Sequence, residues 1–396
     1  MSGVVHVNPY SAGWLKKGFP WVYPKELHGR RPRLGQKVEL RDAEENYLGT
    51  GIADDGWIAV RVLRHDAGPV DRDWLYSVLD RALALRERLF DSTTTGYRIC
   101  NAENDGLAGI RIDWWSHFGV IILDTPSLAG LVDGIATWLT ERLDARGVYL
   151  CYRPDSRDDR KAAEFRPAPG LVKGTAATAD VTVLERGLRL RARPWDGPDV
   201  GVYADMRDVR TWLEPHWGGT NVLNTFAYTG AFSVAAAVGG AADVTTVDLA
   251  GPYLERAEEN FRANDLDPAN YRFMESDTFD ALDRFRRQGE RFDRVVLDPP
   301  SFSRTKSGRI WSSKKDMPRL VASAARVTED DGWLIVASNR GELSPRDFRG
   351  LVHKGLSRAD CRGQEIHWGG QASDFPWLST FPEGRYLKVG VWRVMR

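Results

Sequence analysis

The spacing of apolar residues changes character along the chain. Over roughly the first 70 residues, short runs at 37–40, 47–52 and 57–63 alternate with Gly and Pro turns. A period of two turns one face of each run inward, so these predict strands of a small β-barrel or sheet. From 73 to 90 the apolar set Trp74, Leu75, Val78, Leu79, Ala82, Leu83 and Leu85 recurs at the three- and four-residue spacing of an amphipathic helix. Strands follow at 109–113 and 120–123, a second helix at 128–142 and a short strand at 148–152. The polar, Gly/Ala/Thr-rich stretch 167–180 reads as a loop.

From about Val200 the rhythm becomes strand, loop, helix, strand. Strands are expected at 221–224, 244–248, 271–275, 292–297 and 333–338, with helices at 231–238 and 252–264. That alternation is the signature of a parallel sheet covered by helices. The fold class is therefore α/β: a C-terminal Rossmann-like sheet, preceded by a small β-barrel and a central α+β region. The changes of rhythm divide the chain at 1–72, 73–190 and 191–396.

The chemistry gathers at the carboxyl ends of these strands, where open α/β sheets bind ligands. After the first strand comes Asn224-Thr225-Phe226-Ala227-Tyr228-Thr229-Gly230, a tight crossing into a helix in which Gly230 lets the backbone approach a ligand. It is not GxGxxG, which disfavours a pyrophosphate-gripping dinucleotide loop and with it a nicotinamide dehydrogenase. Asp248 ends the second strand, where an acid accepts hydrogen bonds from both ribose hydroxyls of a nucleoside. Asp277 follows the third, suited to an exocyclic adenine amine. Asp298 ends the fourth, and Pro299 and Pro300 stop that strand rigidly before Phe302. Three acids on successive strand ends share one cleft and point to an adenosyl cofactor, with Asn224, Phe226, Tyr228 and Gly230 lining it.

Acidic and basic residues number 55 each, so any footprint for a polyanion must be local. One basic patch holds Lys16, Lys17, Lys25, Arg30, Arg31, Arg33, Lys37 and Arg41 against Glu26 and Glu39. Another, Arg304, Lys306, Arg309, Lys314, Lys315 and Arg319 against Asp316, follows the Asp-Pro-Pro turn. Cys100, Cys151 and Cys361 are too scattered for a disulfide framework or a zinc site, so no metal is expected. Neither a secretion signal nor an apolar run of 18 residues occurs, and the expected location is the cytoplasm.

Four further motifs carry a family resemblance across essentially the whole chain: Pro20-Trp21-Val22-Tyr23, Asn104-Asp105-Gly106-Leu107-Ala108-Gly109-Ile110, the stretch from Tyr203 through Asp205 and Arg207 to Arg210, and Phe381-Pro382-Glu383-Gly384-Arg385-Tyr386-Leu387-Lys388. With them the sequence resembles the three-domain methyltransferases of large-subunit (23S) ribosomal RNA, built from a PUA domain, a central α/β domain and a class I methyltransferase fold. The resemblance implies S-adenosylmethionine as cofactor and RNA, 23S rRNA, as partner; it leaves a homodimer open. It implies that Asp205 and Arg207 lie near the methionine end of the cofactor, with Arg207 pairing its carboxylate or else a neighbouring acid. The N-terminal domain then reads as an RNA-docking module, with Lys16, Lys17, Arg30, Arg31 and Arg33 as its contacts.

The sequence departs from that family's cytosine-C5 enzymes at one decisive position. Cytosine C5 methylation needs a thiolate to attack C6. The family carries it in a Ser-Cys-Ser setting after strand five; this chain has Ala337-Ser338-Asn339-Arg340-Gly341 there. The run from Asp298 to Lys306, together with Ser338 to Gly341, is instead similar to the rRNA guanine-N7 enzymes. A guanine N7 lone pair is nucleophilic already, so positioning suffices. On this reading Asn339 or Asp298 reads the guanine edge, Phe302 stacks on the base, and Arg304, Lys306 and Arg309 meet phosphates. The alternatives are a cytosine-C5 enzyme with another nucleophile and a non-catalytic RNA-binding homologue.

Overall fold

The computed structural model describes residues 3–152, 168–304 and 310–396, with backbone alone for 302–304, 310 and 313. The chain forms two compact units. The first comprises Met1–Val183, Ala192–Val200 and Ser373–Gly384; the second comprises Leu184–Arg191, Gly201–Ala372 and Arg385–Arg396.

The first unit contains two sheets. Its N-terminal sheet orders the strands Trp21–Val22, Val60–Arg64, Tyr47–Ala53, Lys37–Arg41, Gly3–Val7 and Leu27–His28. Period-two burial is clear in Lys37–Arg41, where Val38 and Leu40 join Val5, Val7, Leu15, Val22 and Val60 in the core. A second sheet orders Gly170–Gly174, Gly147–Tyr152, Phe118–Leu123, Ile110–Trp115 and Gly96–Asn101. Helix Arg72–Leu89 packs there through Leu75, Val78, Leu79 and Leu83, and Asp71 caps it by accepting from Trp74 N at 2.9 Å. The strand Gly170–Gly174 corrects the loop expected at 167–180. It is a sheet edge, paired on one side with Gly147–Tyr152, and Leu171 and Val172 stay exposed, so it lacks the buried alternation that betrays a strand.

The second unit is built on a seven-stranded sheet: β1 Asn221–Thr225, β2 Asp243–Asp248, β3 Arg272–Glu275, β4 Phe292–Leu297, β5 Thr328–Ser338, β6 Arg362–Gly369 and β7 Lys388–Met395. Their order is β3-β2-β1-β4-β5-β7-β6. Strands β1 to β5 run parallel, and β7 is antiparallel to both its neighbours. Helices cover both faces. Against one face, α3 (Thr278–Gln288), α4 (Ser313–Ala325) and α5 (Pro345–Ser357) bury Leu282, Phe285, Leu320 and Phe348 over Val295 and Leu334. Against the other, α1 (Ala231–Val238) and α2 (Gly251–Ala263) bury Phe232, Val234 and Phe261 over Val222 and Val296. The strand order reverses between β1 and β4, which opens a crevice at their carboxyl ends.

Candidate active site

Sheet register decides which side chains meet in that crevice. Thr225 of β1 pairs with Val247 of β2 and Leu297 of β4, and Leu297 pairs with Val336 of β5. Phe226, Asp248 and Asp298 therefore lie in one row across the sheet. Asp248 pairs with Glu275, so Asp277 follows two residues beyond that row, as Asn339 does past β5. A cavity of about 370 Å³ opens over the row, walled by Asp205, Arg210, Asn224, Phe226, Tyr228, Asp248, Asp277, Asp298, Pro299, Pro300 and Asn339, among others.

The loop after β1 is held in an unusual backbone. Phe226, Tyr228 and Gly230 all have positive φ, at 54°, 52° and 74°. A left-handed Phe or Tyr costs of order 1–3 kcal/mol and persists only where neighbours enforce it. Here Thr229 Oγ1 donates to Gly201 O at 2.6 Å, Asn260 Nδ2 donates to Thr229 O at 2.8 Å, and Tyr228 N donates to Asp248 Oδ2 at 2.8 Å. Gly230 does not line the cavity. A Cβ there would stand 2.8 Å from the Cβ of Ala257, so its lack of a side chain serves the close approach of α2.

Each carboxylate has a distinct environment. Asp248 takes one backbone N–H on each oxygen, from Tyr228 and from Ala250 at 3.0 Å, and burial nonetheless raises its pKa. Lone pairs remain on both oxygens for further donors. Asp277 caps α3, accepting from Phe279 N at 2.8 Å, while facing the cavity. Asp298 is pushed up to about 7 by burial first and then by the nearby Asp205 carboxylate, against the opposing pull of Arg210. Asp205 accepts from the Tyr386 hydroxyl at 2.7 Å. Asn339 Oδ1 accepts from Ser301 Oγ at 2.5 Å, which ties the Asp-Pro-Pro turn to the end of β5.

Arg207 stands by a neighbouring acid, the second of its two expected partners. It is fully buried, 3.8 Å from Glu185, and is not on the cavity wall. The arginine on the wall is Arg210, one turn later on the helix Arg207–Leu213, held by Glu185 through two hydrogen bonds of 2.6 Å and donating to Tyr203 O at 3.0 Å. Sequence reading named Phe226 and Tyr228 but passed over Tyr253, Phe279 and Trp311 on the same wall. Trp311 donates to Pro300 O at 2.7 Å and clusters with Phe226 and Phe279, while Tyr228 packs edge-on against Tyr253. Trp311 lies near the basic run, and its indole on an otherwise polar stretch was the available signal. Nothing is described of the Phe302 and Arg304 side chains, and Lys306 and Arg309 lie outside the described residues.

A family model for S-adenosylmethionine-dependent methyltransferases matches residues 150–348, and one for PUA-like domains matches residues 5–65. Ribosomal RNA large subunit methyltransferase I of Photobacterium profundum is 33% identical over 388 residues, 94% of this chain and 95% of that one. The protein of that name from Shewanella denitrificans is 32% identical over 396 residues, 98% and 99% of the two chains. The chain belongs to the S-adenosylmethionine-dependent methyltransferase family. The methyltransferase fold agrees throughout with the crystal structure of SMU.776 complexed with SAH: TM-score 0.88, 25% identity, covering 99% of this chain and 100% of that one.

The cavity of this methyltransferase fits its cofactor. Acids at the ends of β2 and β3 match the hydrogen-bond donors of an adenosine, and aromatic rings offer apolar faces. The same wall also carries two neighbouring acids, Asp205 and Asp298. No cysteine reaches it. Cys100, Cys151 and Cys361 are all buried in cores, and burial raises the thiols of Cys100 and Cys151, the latter to about 12.

The N-terminal basic patch of the methyltransferase is thinner than its sequence implies. Lys16 pairs with Asp42 at 2.9 Å and holds that carboxyl down at about 2. Arg31 donates to the carbonyls of Asp54, Gly56 and Ile58, a structural use of its fork. Lys17 lies 5.1 Å over the Trp14 ring. Arg30 and Arg33 are exposed. No helix among the described residues is long and apolar enough to cross a membrane.

Proposed function

We propose that this methyltransferase modifies a base of large-subunit, 23S, ribosomal RNA, with guanine N7 as the acceptor. The rRNA substrate follows the names of the Photobacterium and Shewanella relatives. The atom rests on one observation: Asn339, bonded to Ser301, and not a thiol, follows β5 on the cavity wall that Asp298 also lines. The cofactor supplies an electrophilic methyl group on a sulfonium. Guanine N7 attacks with its lone pair and has no proton to lose, so the chain has to orient the base and exclude water. Because Asn339 Oδ1 is occupied by Ser301, its Nδ2 hydrogens suit an acceptor, and guanine presents O6 beside N7.

In this reading Asp248 holds the ribose hydroxyls, Asp277 the adenine amine and Asp205 the amino-acid end, with Arg210 in the role expected of Arg207. Asp298, Pro299 and Pro300 shape the base pocket with Asn339, Phe302 stacks on the base, and Arg304, Lys306 and Arg309 meet phosphates. The boundaries 1–72, 73–190 and 191–396 belong to the same proposal, as does a cytoplasmic location.

The test is a variant with Cys100, Cys151 and Cys361 all replaced by Ser, assayed for labelled methyl transfer to unmodified 23S and 16S rRNA. Transfer to 23S rRNA within about threefold of wild type is expected. Loss of transfer with S-adenosylhomocysteine binding intact would restore a thiol route and a cytosine target.

A further inference from the structure

Asp205 is gripped from both sides of a long chain excursion. The segment Ser373–Gly384 leaves the second unit after Ala372 and returns at Arg385. At the point of departure, Ala372 N donates to Asp205 O at 2.8 Å. Just after the return, the Tyr386 hydroxyl donates to Asp205 Oδ2 at 2.7 Å, while Tyr386 N donates to the side chain of Gln371 at 3.2 Å. The two ends of the excursion are thus closed on each other across one cavity-wall residue, Ala372 on the backbone carbonyl of Asp205 and Tyr386 on its carboxylate. The residues that follow extend the same arrangement. Leu387 lines the cavity, and Lys388 donates to Arg340 O at 2.5 Å, next to Asn339.

We propose that Tyr386 is a positioning residue for the cofactor's amino-acid end: its phenol fixes the rotamer of Asp205 and so aims that carboxylate. This rests on the reading that Asp205 faces the amino-acid end. The physical argument is an asymmetry between two acids in one site. Two carboxylates close together do not share charge equally, and a donor on one of them favours its anion. Tyr386 supplies that donor to Asp205. The raised proton affinity of Asp298, caused in part by Asp205, is the expected counterpart. A rotamer-locked Asp205 carboxylate is suited to an ammonium group, and Arg210 spends its Nε and Nη2 on Glu185.

The probes are S-adenosylhomocysteine, which carries the amino acid, and 5′-methylthioadenosine, which lacks it, titrated calorimetrically against the full chain. Tyr386→Phe is expected to weaken S-adenosylhomocysteine about tenfold, the scale of one hydrogen bond to a charged group, and to leave methylthioadenosine within about twofold. In an Asp205→Asn background the second substitution is expected to add nothing. A merely structural Tyr386 would weaken both ligands alike, and that result, or no loss at all, overturns the proposal if Asp205→Asn alone is selective for S-adenosylhomocysteine. An Asp205→Asn variant that is not selective overturns the placement of Asp205 first, and the role of Tyr386 with it.

Discussion

Replacing Asp298 by Asn should stabilise the ligand-free protein at alkaline pH while removing methyl transfer. Burial and the Asp205 carboxylate push Asp298 from its usual 3.8 to about 7. Between those values the folded chain holds a proton that the unfolded chain has released. The unfolding free energy therefore falls as pH rises through the window, and above pH 7 the full cost of the buried anion is present. At 1.36 kcal/mol per pH unit the ceiling is roughly 4 kcal/mol, and water in the cavity mouth reduces it to about 2–4 kcal/mol. Asn is neutral throughout and keeps the shape. The variant should match wild type near pH 4 and melt about 4–16 °C higher at pH 8, taking 2–4 °C per kcal/mol for a domain of this size. Differential scanning calorimetry across pH 4–8, without cofactor, reads this directly. A variant that melts at or below wild type at pH 8, or whose advantage is the same at both ends of the range, refutes the reasoning. The same substitution should lower kcat about 100-fold, because Asp298 lines the wall that orients the base and a small misplacement of the reacting groups costs on that order.

Two other expectations follow from the contacts. Arg210→Met strands the buried Glu185 carboxylate and should cost about 3–5 kcal/mol in urea unfolding, with Glu185→Gln added in the same chain recovering most of it; an additive double variant would contradict the pairing. Joint Arg30→Ala and Arg33→Ala should weaken 23S rRNA binding and reduce the slope of log K against log salt by about 2, with S-adenosylhomocysteine affinity unchanged. An unaltered slope would remove these arginines from the interface. Arg31→Ala belongs to stability instead, because its guanidinium is spent on three carbonyls.

Much of the candidate site was legible in the sequence because strand ends are marked locally. An apolar run followed by an acid and a turn residue locates Asp248, Asp277 and Asp298 without any knowledge of partners. Parallel register then brings them together. What escaped depended on distance or on helical phase. Arg207 and Arg210 sit one turn apart, and their spacing does not say which faces the cavity and which faces the core. The Asp205 to Tyr386 hydrogen bond spans 181 positions. Strand β6 escaped because Arg362-Gly363-Gln364-Glu365 is exposed and carries no apolar alternation, its pairing being dictated by β7. Charge counting does not see carbonyls or distant acids: Arg31 donates to backbone carbonyls, and Asp42, outside the counted acids, pairs with Lys16.

The most direct measurement is the identity of the methylated nucleoside. Unmodified 23S rRNA would be incubated with the enzyme and methyl-labelled S-adenosylmethionine, digested, and the labelled product identified by mass and retention. The account predicts label in 7-methylguanosine, lost in Asp298→Asn. Label in 5-methylcytidine would contradict the assignment of the acceptor atom, and label absent from 23S rRNA while S-adenosylhomocysteine binds would contradict the proposed substrate.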